Sequence, residues 1–81
     1  MYQKIDEDIG VLGIYQKAKF ILKKFEWRGR DYLIEKITLI SDIKDGQVKK
    51  RLYSVASGPN LYRLEFNRES EKWTLEEVWC E

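Results

Sequence analysis

Histidine is absent from this chain of 81 residues, and cysteine is limited to Cys80. Without histidine the chain lacks the side chain that most often transfers protons near neutral pH. One cysteine cannot form an internal disulfide, and zinc sites require several cysteine or histidine ligands. We therefore expect a non-catalytic protein with no metal site and no cofactor, in a reducing compartment such as the cytoplasm.

Long hydrophobic runs are also lacking, and none approaches the ~20 residues needed to cross a membrane. The polar, acidic start of the chain is unlike a secretion signal, so no membrane association is expected. A net charge of +1 argues against a strongly nucleic-acid-directed protein. The charge is nevertheless uneven, because residues 17–30 hold six cations and one carboxylate, and residues 48–63 hold four cations alone. These two basic segments alternate with acidic ones along the chain, and pairing of opposite charges between neighbouring strands is an alternative explanation of this pattern.

Aromatic residues are what the chain has in abundance: three Trp, five Tyr and three Phe. Each can bury roughly 150–250 Å², which is enough for one compact core in a short chain. We predict a flexible N-terminus over residues 1–8 and a single β-domain over residues 9–81. Residues 9–15 are interpreted as a first strand, although a helix over residues 9–18 is an alternative, weakened by Gly13.

Short alternating apolar runs separated by turn signals indicate the fold class. Side chains two apart on a strand share a face, so such runs describe a sheet with one buried side. Strands are predicted over residues 19–27, 31–43, 48–56, 61–66 and 73–79, and Asp45-Gly46 is typical of a type I′ hairpin turn. The prediction is an all-β, five- or six-stranded antiparallel meander that forms a small open (SH3-like) barrel or a strongly curled sheet.

The alternation fails at three places, which predict where the sheet bends. Lys23 interrupts a strand whose apolar positions include Ile21 and Phe25, and residues 33–43 are apolar on both faces. At Glu76 and Glu77 the parity also breaks. A bulge there would return the following Val78 to the core and send Trp79 outward.

Aromatic and basic residues are interleaved in two segments that we take as candidate binding residues. They are Trp27, Arg28, Arg30 and Tyr32 in the first segment, and Lys49, Lys50, Arg51 and Tyr53 in the second. Small barrels bind single-stranded nucleic acid by stacking bases on aromatic rings while cations contact phosphates. Alternatively, the rings belong to the core and the cations between them to the solvated face.

A second functional hypothesis is a protein–protein interaction module or a homodimer without nucleic-acid binding. It rests on the apolar residues on both faces of residues 31–43, which a chain of this size is too short to cover completely. The same aromatic and basic surface would then dock a protein partner.

Several blocks together resemble a bacterial family of small uncharacterised β-domains. Residues 25–34 (FEWRGRDYLI) are similar to a Phe-x-Trp-x-Gly-Arg-x-Tyr-x-Val start, and residues 53–55, 61–64 and 72–79 are similar to later blocks. The resemblance covers about residues 20–80. Some members of that family accompany Y-family-polymerase-like DNA repair proteins, so the resemblance implies a bacterial protein accessory to nucleic-acid metabolism. It implies no active site.

Overall fold

Antiparallel strands make up the whole architecture of residues 1–80, which are the residues that the computed structural model describes. The strands are β1 (Tyr2–Asp8), β2 (Gly10–Gln16), β3 (Lys19–Trp27), β4 (Arg30–Leu33), β5 (Lys36–Asp45), β6 (Val48–Ser57), β7 (Asn60–Asn67) and β8 (Trp73–Trp79). They form a five-stranded sheet in the order β1-β8-β7-β6-β5 and a three-stranded sheet in the order β2-β3-β4. The predicted all-β class is confirmed.

Two bent stretches of chain carry the backbone from one sheet to the other. β1 runs into β2 across Ile9, and β4 runs into β5 across Ile34 and Glu35. The second bend is anchored on both sides, because the Ile34 N–H donates to the Lys23 carbonyl and the Glu35 N–H to the Ala56 carbonyl, each at 2.9 Å. It lies within the segment whose two apolar faces predicted a bend. If β1 and β2 are counted as one bent strand, and β4 and β5 as another, the chain has six strands. In the described residues the two sheets do not close into one barrel.

The N-terminal segment is a paired strand, where the sequence predicted a flexible terminus over residues 1–8. β1 lies antiparallel to β8, with Tyr2 opposite Trp79 and Glu7 opposite Leu75. Ile5 packs against the core and anchors the segment. The polar residues around Ile5 gave no indication of this contact in the sequence. Residues 10–16 also form a strand, so the helical alternative is excluded.

Bulges occur at all three of the predicted parity breaks, and in residues 33–43 the extra residue is Thr38 of β5. Arg63 pairs with Glu77 and Leu64 pairs with Leu75, so Glu76 is the extra residue. As predicted, Val78 is buried and Trp79 is 53% exposed. On β3, Lys23 is the extra residue opposite the Leu12–Gly13 step.

The bulge at Lys23 changes which side chain enters the core. Leu22 and Phe25 are both buried although they are three apart, whereas Ile21 is only half-buried. The parity that placed Ile21 with Phe25 was therefore wrong, because the bulge shifts the alternation by one residue.

The β5–β6 hairpin lies where Asp45-Gly46 predicted it, but its turn is of a different type. The two connecting residues are Gly46 and Gln47, and only Gly46 has a positive φ, of 63°. A positive φ at the first central position alone is the pattern of a type II′ turn, whereas type I′ requires it at both.

Eight side chains fill the space between the sheets: Leu22, Phe25, Tyr53, Val55, Tyr62, Leu64, Leu75 and Val78. Each contributes about 1.5–3 kcal/mol relative to an exposed side chain. Phe25 stands at the centre, stacked on Tyr32 at 5.0 Å and edge-on to Tyr62 at 5.1 Å. No helix in residues 1–80 is long and apolar enough to cross a membrane.

Candidate functional site

The first sequence-predicted segment lies at the β3–β4 hairpin and is engaged in internal contacts. Glu7 of β1 accepts hydrogen bonds from the Trp27 Nε1–H at 3.0 Å and from the Arg28 Nε and Nη2 groups at 3.0 and 2.6 Å. The Arg28 guanidinium also lies 4.7 Å from the Trp27 ring centroid. The Arg28 and Trp27 hydrogen bonds lower the pKa of Glu7. This cluster fastens the N-terminal strand to the smaller sheet.

The other two members of that segment have different surroundings. Tyr32 stacks on Phe25 with an interplanar angle of 10° and is half-buried as part of the core boundary. Arg30 is exposed, and it forms no ion pair with residues 1–80. The structure therefore offers one unengaged cation at this hairpin.

The second predicted segment alternates between the two faces of β6. Lys49, Arg51 and Tyr53 lie on the inner face, which we define as the face directed at the three-stranded sheet. Lys50 lies on the outer face, where its Nζ is 2.9 Å from Glu65 and 3.4 Å from Asp45. The segment is therefore divided between the two faces of β6, and only Lys49, Arg51 and Tyr53 lie on the face directed at the smaller sheet.

A concave site opens where the two sheets separate, at the end of the molecule that holds the β2–β3 and β7–β8 connections. Its volume is about 350 Å³. We call it the aromatic cleft and define it by its lining residues, which are Tyr15, Ala18, Phe20, Arg51, Tyr53, Phe66, Arg68, Glu71 and Trp73. The β3–β4 hairpin lies at the opposite end, because consecutive strands run in opposite directions. The cleft therefore contains two of the eight predicted residues, Arg51 and Tyr53.

Trp73 is the central ring of the aromatic cleft. Its ring centroid lies 4.7 Å from that of Phe66, 5.4 Å from that of Tyr53 and 6.4 Å from that of Phe20. Tyr15 extends the series at the rim, 5.0 Å from Phe20 and with 79% of its surface exposed. A chain of rings thus leads from solvent to the core, and such surfaces stack planar ligands.

Two arginines supply positive charge to the aromatic cleft. Arg51 is fixed by Asp42, whose Oδ1 and Oδ2 accept from its Nε and Nη2 groups at 2.6 and 3.3 Å. This pairing raises the pKa of Arg51 and lowers that of Asp42. Arg68 is positioned through its backbone, which donates to the Lys49 carbonyl at 2.9 Å, and its side chain forms no ion pair within residues 1–80.

The charge around the aromatic cleft is more positive than that of the whole chain. Residues 15–20, 42–51 and 66–73, which surround it, contain eight cations and four carboxylates. An anionic ligand is therefore attracted to this end of the molecule even though the net charge of the protein is only +1.

The rim includes a strained hairpin turn. Lys17 and Ala18 connect β2 to β3 with φ values of 52° and 64°, a left-handed conformation that non-glycine residues adopt at a cost of about 1–2 kcal/mol each. Ala18 also lines the aromatic cleft. Strain of this kind concentrates at functional positions.

Sequence reasoning missed most of the cleft. Tyr15, Phe20, Phe66 and Trp73 were assigned only to strands, and Arg68 and Glu71 were not taken as binding residues. A usable signal was present, because Tyr15, Phe20, Phe66 and Trp73 flank the two chain reversals at residues 17–18 and 68–72. In residues 1–80 no group of three or more Cys, Asp or Glu side chains is arranged to hold a metal ion.

Comparison of the chain with protein-family models, with curated proteins and with solved structures finds no match. The geometry of the aromatic cleft and the chemistry of its side chains are therefore the basis for assigning a function.

Proposed function

We propose that this protein is a non-catalytic module that binds single-stranded nucleic acid in the aromatic cleft. The observation that carries the proposal is the convergence of five aromatic rings, contributed by both sheets, with Arg51 and Arg68 in one concavity. Rings that stack bases and cations that contact phosphates are the two components of such sites.

Size and exposure suit this ligand. A volume of about 350 Å³ lies in the range of pockets that enclose small ligands and accommodates a base with part of its sugar. Tyr15 at the rim presents a ring to solvent, and Trp73 is only half-buried. Each stacked base contributes about 1–3 kcal/mol, so two contacts supply useful affinity.

A single strand fits the cleft better than a duplex. In a duplex the bases are paired and stacked, so their faces cannot reach rings that lie inside a concavity, whereas a single strand can turn them outward. Major-groove readers insert a helix or a protruding two-stranded ribbon, and the described residues contain no helix.

The resemblance of residues 20–80 to small bacterial β-domains supports the same proposal. We propose on that basis a bacterial, cytoplasmic protein accessory to DNA repair or another branch of nucleic-acid metabolism. We also propose that the two sheets represent an open variant of the small barrels that bind single strands.

The test is a pair of charge-reversal variants with the same change in net charge. Arg68→Glu removes a cation from the aromatic cleft, and Arg30→Glu removes one from the opposite end. Fluorescence anisotropy with a labelled, mixed-sequence single-stranded DNA should show about tenfold weaker binding for Arg68→Glu and less than twofold change for Arg30→Glu. Binding by the native chain should also weaken steeply between about 50 and about 200 mM salt.

Two results would contradict the cleft assignment. The first is no binding by the native chain at low salt, which removes the proposed function. The second is a larger loss for Arg30→Glu than for Arg68→Glu, which would place the ligand at the β3–β4 hairpin. Circular dichroism of both variants is the control for folding.

A second candidate function, self-association, is favoured by an apolar patch on the outer face of the five-stranded sheet. Tyr2, Leu39, Leu61 and Trp79 are 45–53% exposed there, and the Tyr2 and Trp79 rings are 5.0 Å apart. A shallow groove of about 390 Å³ runs between Leu39, Leu61 and Trp79. The charged residues that line this groove, Arg63 and Glu77, are already paired at 3.9 Å, so a second copy of the chain would not be repelled.

Light scattering at increasing protein concentration tests self-association. A dimer is expected for the native chain and a monomer for Trp79→Ser. The control is Leu33→Ser, which removes an apolar residue that is more exposed than Trp79, at 69% against 53%, from the smaller sheet and should leave the dimer intact. A native chain that stays monomeric throughout would eliminate this candidate.

A further inference from the structure

Glu71 places a carboxylate in a cleft that is otherwise aromatic and cationic. From this combination we infer that the aromatic cleft prefers guanine among the bases of a single strand. The inference rests on the proposed function and adds base selectivity to it.

The chemistry of the bases singles out guanine. Its Watson–Crick edge presents two adjacent donors, the N1–H and the exocyclic N2–H, which match the two oxygens of one carboxylate. Its opposite edge presents the O6 and N7 acceptors, which are the commonest partners of arginine. Thymine and uracil offer one N–H between two carbonyl oxygens, and those oxygens repel a carboxylate. Cytosine and adenine each offer one amino group beside an acceptor nitrogen.

The loop that carries Glu71 is fixed by hydrogen bonds, so the backbone of Glu71 has a defined place at the cleft. The Glu71 N–H donates to the Asn67 carbonyl at 2.8 Å, and the Asn67 side-chain oxygen accepts from the N–H groups of Glu69 and Ser70 at 2.9 and 3.1 Å. Glu71 has a φ of 61° and forms no ion pair within residues 1–80. Its carboxylate is therefore available to a ligand.

Arg51, Arg68 and Glu71 all line the aromatic cleft. Arg68 lies three residues before Glu71 in the loop, and Arg51 is held by Asp42 on the adjoining strand. Trp73 provides the ring on which the base would stack. A purine held in this way contacts a carboxylate at one edge and a guanidinium at the other, and no other common base satisfies both.

The experiment uses five-residue DNA strands with a central guanine, adenine, cytosine or thymine between thymines, and binding is measured by tryptophan quenching. Guanine should bind about tenfold more tightly than thymine. Hypoxanthine at the centre, which lacks the N2 amino group, should lose most of that advantage. 7-Deazaguanine, which lacks the N7 acceptor, tests the arginine contact and should also bind more weakly.

The variant Glu71→Gln should reduce the difference between guanine and hypoxanthine to within twofold. The matched control Glu69→Gln removes the same charge from the same loop, outside the cleft, and should keep the difference. Equal binding of all four bases, or a preference that survives in Glu71→Gln, overturns this inference and leaves the proposed function standing. Failure of every strand to bind at low salt overturns the proposed function and the inference together.

Discussion

Two glutamates on neighbouring strands give the stability of this protein a pH dependence of defined sign. Glu76 is the bulged residue of β8, and its side chain shares a hydrogen bond with Glu65 on β7. Partial burial, this hydrogen bond and the Glu65 charge raise the pKa of Glu76 to about 7, while Arg63 opposes the rise and Glu77 adds to it. Glu65 is stabilised as the ionised partner by Glu76 and by Lys50.

The direction of this pH dependence follows from the linkage between proton binding and folding. A carboxyl group whose pKa rises on folding binds its proton more tightly in the folded chain, so it favours folding most below its ordinary pKa of 4.5. That contribution is lost as the pH rises from about 4.5 to about 7. At about 1.4 kcal/mol per pKa unit the full shift would correspond to about 3 kcal/mol. Because the site is partly open to water, we expect about 1 kcal/mol.

The perturbation is Glu76→Gln, which keeps the hydrogen-bonding shape and removes the titration. Urea unfolding at intervals from pH 4.5 to pH 8 should show the variant equal to the native chain at the acidic limit and about 1 kcal/mol more stable at the basic one. The control variant is Glu69→Gln, which removes an exposed carboxylate from the β7–β8 loop and gives the baseline for the pH profile. Parallel pH profiles for native chain and Glu76→Gln would refute the reasoning.

Three further predictions concern the elements that build the cleft and the core. Ala18→Gly relieves the positive φ at the β2–β3 turn and should raise the free energy of unfolding by about 1 kcal/mol in chemical denaturation; no gain would mean that the turn is unstrained. Gly13→Ala should cost about 1–3 kcal/mol, because its Cβ would lie 2.5 Å from the Ile21 carbonyl oxygen and 2.6 Å from the Phe20 ring. Thermal melts check this, and an unchanged melting temperature would contradict it. Phe25→Ala removes a fully buried ring from the centre of the core and should lower the free energy of unfolding by about 3–5 kcal/mol. A loss below about 1 kcal/mol in urea unfolding would show that Phe25 is not central to the core.

Local pattern was sufficient to predict much of the fold. β3 and β8 begin and end where alternation placed them, and the Glu76-Glu77 parity break correctly predicted an exposed Trp79. Such features depend on neighbours in sequence. The burial of Leu22 in place of Ile21 was not predicted, because the position of a bulge within β3 depends on its pairing with β2.

The site was harder to predict, because its parts come from distant segments. Arg28 was predicted as a binding residue, but Glu7, 21 residues away, is its partner within the chain. Phe20 meets Phe66 and Trp73 only because the two sheets pack against each other at this end, and no local periodicity encodes that packing. Arg51 and Tyr53 are the two predicted residues that line the aromatic cleft, while the ring cluster around them emerged only from the packing.

The three tryptophans lie in three separate regions of the protein, so together they can show where a single strand binds. Trp73 lies in the aromatic cleft, Trp27 donates to Glu7 at the opposite end, and Trp79 lies on the outer face. In a proton–nitrogen correlation spectrum each indole N–H gives its own signal. Titration with single-stranded DNA at low salt should shift the Trp73 signal and leave those of Trp27 and Trp79 in place. A shift confined to Trp27 or Trp79, or none at all, would contradict the assignment of the aromatic cleft as the binding site.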